Sequence, residues 1–145
     1  MTGFNHAAVG GFIGKFLPLP IALPVALASH YALDALPHYG IPHHRRDNRF
    51  WRYFFTVDFV LAWGFLGGIS LSRHHYQILF CGLTAAAPDF LWVARVIRSK
   101  SFNLSNHKTK YDKWHASIQR YERPWGIFIE VPLAIVLGYF VVTTW

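Results

Sequence analysis

The sequence predicts an all-α integral membrane bundle of about five helices, the first of them short. Three observations lead there. Residues of hydrophobic type make up 53% of the 145 and aromatics 18%, while only 14% are charged, a balance that leaves too little polar surface for an ordinary soluble domain. Segments 53–71, 76–97 and 125–145 are long and apolar enough to cross a bilayer. The cations that give a formal charge of +7 gather in two places, Arg45 to Arg52 and Arg95 to Arg123, leaving only Lys15 and Arg73 elsewhere. The length fits one domain, 1–145, carrying a basic loop at about 98–123.

The first forty residues are apolar but are interrupted by Pro18, Pro20 and Pro24. Proline removes an amide donor and clashes inside a helix, so a short helix is expected near 5–16, then a turn and a longer helix near 21–36. The first cation, Lys15, lies inside the apolar run rather than before it, so a retained membrane segment is expected in place of a cleaved signal. Gly10, Gly11 and Gly14 would form a nearly side-chain-free groove for close helix contact. The long apolar segments supply three further helices, and an amphipathic stretch around "KYDKWHASIQRYERPWG" can rest on headgroups and fold inward. The lone Cys81 rules out a disulfide within the chain.

Counting these segments puts both basic loops on one side of the membrane, and the positive-inside rule makes that side cytoplasmic. This topogenic use of the cations accounts for the charge better than lipid phosphates do, and nucleic acid is not expected as a partner.

With a rise of about 1.5 Å per residue, Asp34 falls roughly 6 Å above the cytoplasmic helix end, Glu130 roughly 8 Å, and Asp58 and Asp89 roughly 9 Å. Four helices therefore offer a carboxylate at nearly one depth. An ionised group in hydrocarbon costs at least about 2.5 kcal/mol, so these acids are expected to face one another. Crowded carboxylates need a proton or a cation between them, and nearby histidines make a divalent metal a natural counter-ion.

In "ASHYALDALPHYG" the spacing of four stacks His30 over Asp34 on one helical face, with His38 a turn later at a helix end. The pair suits ligation or a helix-packing hydrogen bond; His38 suits ligation or the negative end of the helix dipole. Asp89 in "AAAPDFLW" follows a proline that loosens the preceding turn and three alanines that permit close approach. His6 lies among small residues at the start of the first helix. Asp58 needs a partner across helices, as a ligand or as a buried acceptor that orients one. His115 shares a face with Asp112 on the amphipathic stretch, and Glu130 precedes Pro132 in the last apolar segment, where an arginine contact is as good a reading as catalysis.

Together "FNHAAVGGFIG", "ASHYALDALPHYG" and "AAAPDFLW" resemble, in that order, the histidine-bearing start, the S-H-x-x-x-D-x-x-P-H helix and the P-D element of small bacterial inner-membrane proteins described as membrane-bound metal-dependent hydrolases. The likeness covers roughly the first two thirds of the chain. That family is distantly like the all-helical zinc-dependent phospholipase C and single-strand nuclease fold. The resemblance implies His6, His30, Asp34, His38 and Asp89 as metal ligands, zinc as the metal, and a multi-pass location in the bacterial inner membrane. Asp58 and His115 are added as catalytic candidates from the depth argument and from local context.

The expected activity is hydrolysis of a phosphoester, a phospholipid among the candidates, at the cytoplasmic membrane face. No serine or cysteine sits in a nucleophile motif, since Ser29 lacks a glycine elbow and Cys81 lies in an apolar span. The competing reading is a non-catalytic membrane protein whose polar cluster fixes helix packing or binds a regulatory metal or lipid. Haem held by two histidines is a third reading, and it needs His6 or His115 to fold inward beside His30.

Overall fold

The structure is a computed structural model that describes residues 1–40, 49–99 and 109–143. The expectations placed on Arg45, Arg46, Lys100 and Lys108 lie outside the described residues. Six α-helices are present among the described residues: α1 (Gly3–Phe16), α2 (Leu19–Asp34), α3 (Arg49–Arg73), α4 (Tyr76–Ser99), α5 (Lys110–Ile118) and α6 (Ile127–Thr143). A two-residue parallel pair, β1 (His38–Tyr39) with β2 (Glu122–Arg123), and a 3₁₀ turn at Pro124–Gly126 complete the element list.

The fold is thus all-α, as expected, with one helix more than the expected five. The addition is α5, the amphipathic stretch within the basic loop. Its start carries a capping box, in which the Thr109 hydroxyl accepts from the Asp112 amide while the Asp112 carboxylate accepts from the Thr109 amide at 2.7 Å. The prolines act more mildly than expected. Pro18 and Pro20 mark the start of α2, where missing amide donors cost nothing, but α2, α4 and α6 continue through Pro24, Pro88 and Pro132. Three stretches, Arg49–Arg73, Tyr76–Arg98 and Pro124–Thr143, are long and apolar enough to cross a membrane.

The short α1 is the hub, packing on α2, α3, α4 and α6. Its seam with α4 is made by glycine, as the spacing suggests. A Cβ on Gly10 would run into the Cys81 carbonyl and the Gly82 backbone, and one on Gly14 would lie 2.8 Å from the Cys81 Cβ and 2.9 Å from the Gln77 carbonyl. Across the same seam Gln77 Nε2 donates to the Gly14 and Leu17 carbonyls at 2.8 and 2.6 Å, satisfying acceptors that the end of α1 leaves open.

Gly40 is buried against Glu122, while Gly126 sits directly on the His38 backbone. Both glycines let β1 approach the segment before α6. That approach fixes the chain just beyond Asp34.

Candidate metal centre

The amino end of α1, the carboxyl end of α2, the middle of α4 and one face of α5 meet at a single buried point. His6, His30 and Asp34 each present a ligand atom there, with all three atoms within 4.8 Å of one another. All three residues are fully buried. His6 Nε2 lies 3.1 Å from Asp34 Oδ1, and His30 Nε2 lies 3.2 Å from Asp34 Oδ2. The two imidazoles stack at 4.0 Å between centroids.

Two more residues with ligating side chains reach the group. His115, from α5, places Nε2 2.8 Å from Asp34 Oδ2 and 3.1 Å from His30 Nε2. Asp89, from α4, holds one carboxylate oxygen 3.9 Å from His6 Nε2 and the other 3.9 Å from His30 Nε2. The α5 contribution continues one turn on, where Gln119 Nε2 donates to Asp34 Oδ2 at 2.8 Å. The Met1 amine also donates to Asp34.

The tautomer of His30 follows from its other nitrogen. Nδ1–H donates to the Ala85 carbonyl at 2.9 Å, so Nε2 is the nitrogen turned toward the Asp34 carboxylate. At 3.2 Å from a carboxylate oxygen, that nitrogen is held there by a proton or a metal ion between the two atoms. Backbone anchoring of the remote nitrogen is also how metal-binding histidines are held in orientation. His6 Nδ1 is buried without such a partner among the described residues. Two imidazoles and a carboxylate, with a third imidazole and a second carboxylate beside them, fit zinc, iron or manganese.

Asp58 and Glu130 converge on the same end of α1 but face backbone rather than histidine. Asp58 accepts from the Gly3 and Phe4 amides at 2.8 and 3.0 Å, so it caps the first turn of α1. Among the described residues its hydrogen bonds go to these amides rather than to an imidazole, and it lines the cavity that Asp89 and His115 also line. Glu130 accepts from the Thr2 amide at 3.1 Å and the Tyr39 amide at 3.0 Å, tying the chain before α1 to β1.

His38 is buried but stands outside the three-residue group. Its Nδ1–H donates to the Leu36 carbonyl at 2.8 Å, and burial, followed by the nearby amino group, holds its pKa below the ordinary histidine value. It therefore stays neutral near pH 7 and lines the cavity beside the site.

A clasp fixes α5, and hence His115, over the centre. Arg95 of α4 pairs with Asp112. Burial alone would raise the Asp112 carboxyl, but the hydrogen bonds from Arg95 and Thr109 outweigh it and hold the pKa at about 2. Tyr31 and Trp114 pack ring to ring at 5.0 Å alongside, and Tyr31 lies edge-on to both His30 and His115.

Gln119, the Met1 amine and the Ala85 carbonyl are participants that sequence reasoning misses. Gln119 was accessible in principle, since it follows His115 by four residues on the same helical face. A backbone carbonyl leaves no mark in a sequence. Comparison of the chain with family models, with curated proteins and with solved structures returns no match.

Proposed function

We propose that the chain is a divalent-metal-dependent phosphoester hydrolase embedded in the bacterial inner membrane, with its basic loops and its active centre at the cytoplasmic face. The observation that carries this reading is the convergence of one ligand atom each from His6, His30 and Asp34 within 4.8 Å of one another in a fully buried site, with the two imidazoles stacked. His6, His30 and Asp34 are the ligands, and Asp89 is the ligand approaching from α4. A divalent ion held there would lower the pKa of water and polarise a phosphoryl oxygen. His115, at the rim and 12% exposed, accepts the proton from the attacking water, and Gln119 holds the Asp34 carboxylate in place. Zinc suits the donor set best.

The membrane assignment is supported by the three span-length helices and by the grouping of cations on the loops at the site's end of the bundle. In a Cys81→Ser background, Lys113→Cys should resist an impermeant thiol reagent applied outside intact cells, while Ser72→Cys should react. The reverse pattern would overturn the orientation.

The activity test uses detergent-purified protein reconstituted with zinc, manganese or iron and offered phosphomonoester and phosphodiester substrates. Hydrolysis that disappears in Asp34→Asn and in His115→Gln supports the reading. A second reading, a metal or lipid site that fixes packing without catalysis, is favoured by the wholly structural use of Asp58 and Glu130. Metal binding without turnover of either ester would select it.

A further inference from the structure

Beside the candidate metal centre lies a cavity of about 470 Å³ bounded by α3, α4 and α5, and its charge runs against that of the chain. The sequence holds 14 lysines and arginines against 7 acids. Asp58, Asp89, Asp112 and Glu122, four of those seven acids, line the cavity, whereas among the described residues Arg95 is the one lysine or arginine that does. Arg95 is paired with Asp112, and the Met1 amine, which also reaches the lining, is paired with Asp34. Among the described residues neither Asp58 nor Asp89 pairs with a lysine or an arginine. The local field therefore favours a cation inside a protein that is itself strongly basic.

The walls select the same sign. Phe54, Phe55, Phe59 and Trp63 of α3 and Trp92 of α4 line the cavity, and Phe55 meets Trp92 across the two helices at 5.0 Å between centroids. Phe54 and Phe55 precede Asp58 by four and three positions, so the carboxylate shares a helical face with the rings. An aromatic face carries partial negative charge and attracts a cation within about 6 Å of its centre. Rings supply no ligand oxygen to a hard metal ion, and the volume is that of a small organic molecule. Both Asp58 oxygens already accept an amide, from Gly3 and from Phe4. A guest held by charge and by ring faces suits that carboxylate better than one that needs several hydrogen bonds.

We infer that the cavity binds an organic ammonium ion with an apolar body, its charge beside Asp58 and its body against the rings of α3 and α4. Asp58 keeps its two amides and adds its charge; on a helix of span length, an acid without a cationic partner is costly until a cation reaches it. The site goes beyond the hydrolase reading and does not rest on it, because neither Asp58 nor the rings belong to the His6, His30 and Asp34 group.

Equilibrium dialysis of the full chain in a non-ionic detergent, corrected for empty micelles, tests the site with three probes. They are benzyltrimethylammonium, its neutral analogue with carbon in place of nitrogen, and benzenesulfonate. The expected result is saturable binding of the ammonium ion, binding of the neutral analogue about tenfold weaker, and no binding of the sulfonate. Trp92→Leu keeps an apolar wall but removes a ring face, so it should weaken the ammonium ion about tenfold and change the neutral analogue little. Asp58→Asn should do the same wherever it folds. Phe128→Leu, on the exposed face of α6 away from the cavity, should change none of the three. Equal binding of the ammonium ion and its neutral analogue, or ammonium binding that folded Trp92→Leu leaves intact, would overturn the proposal. The three probes on the wild-type chain decide the matter if neither cavity variant folds. Selective ammonium binding by a chain that takes up no metal would retain this site and discard the metal centre. Metal binding without preference for the ammonium ion would do the reverse.

Discussion

Two pairs of carboxylates meet at the amino end of α1, and they differ in what they face. Asp58 and Glu130 accept from backbone amides, donors whose protons and positions are fixed by the helix and by β1. Asp34 and Asp89 face imidazole nitrogens, which can carry a proton, present a lone pair or bind a metal. The first pair is therefore bound to structure, while the second keeps a choice of occupant. Burial and depth do not separate the pairs; the partner atoms do.

The contrast is broken most forcefully by truncating the structural pair. Asp58→Ala strands the Gly3 and Phe4 amides, at about 1–3 kcal/mol for each buried donor left unpaired. Glu130→Ala strands the Thr2 and Tyr39 amides in the same way. Both variants should lower the temperature at which the detergent-solubilised protein loses its helical signal, or abolish folded yield. Asp34→Asn, which keeps the shape and one acceptor oxygen, should fold. Equal loss in all three would erase the distinction between the pairs.

A smaller effect sharpens the role of the α1 platform. Gly14→Leu must push α1 away from Cys81 and Gln77, a cost of about 1–3 kcal/mol or more, whereas Gly67→Leu meets open space on α3. The thermal midpoint should fall only in the first. Because α1 carries His6, Gly14→Leu should also weaken metal retention.

The smallest effect is expected at the α5 clasp. The Asp112 pKa in the folded chain, about 2, lies below the ordinary value of 3.8. Its contribution to stability is therefore complete above about 3.8 and is lost as the pH falls toward 2. The stability difference between wild type and Asp112→Asn should shrink across that window. A difference that grows on acidification would contradict the clasp.

Much of this arrangement was legible in the sequence, and the limits are instructive. The pairing of His30 with Asp34 follows from their spacing of four, and the glycine seam of α1 follows from the offsets of Gly10 and Gly14. The convergence of four acids followed from counting helical rise. Depth places an acid along a helix axis but says nothing about its azimuth, so it could not tell Asp89, beside histidines, from Asp58, beside amides. The burial of Gly40 leaves no local mark because its neighbour Glu122 is distant in sequence, and β1 exists only through that long-range pairing. The place of α5 against the centre depends on Arg95 and Asp112, a contact that local amphipathicity does not specify.

The most direct test is the metal content of protein purified in detergent without chelators, compared across wild type, Asp34→Asn, His30→Ala and Asp58→Asn. The arrangement predicts one divalent ion per folded wild-type chain, loss of it in Asp34→Asn and His30→Ala, and retention in Asp58→Asn wherever that variant folds. Folded Asp34→Asn or His30→Ala protein with wild-type metal content, or wild-type protein that binds no zinc, manganese or iron even on addition, would contradict the metal centre.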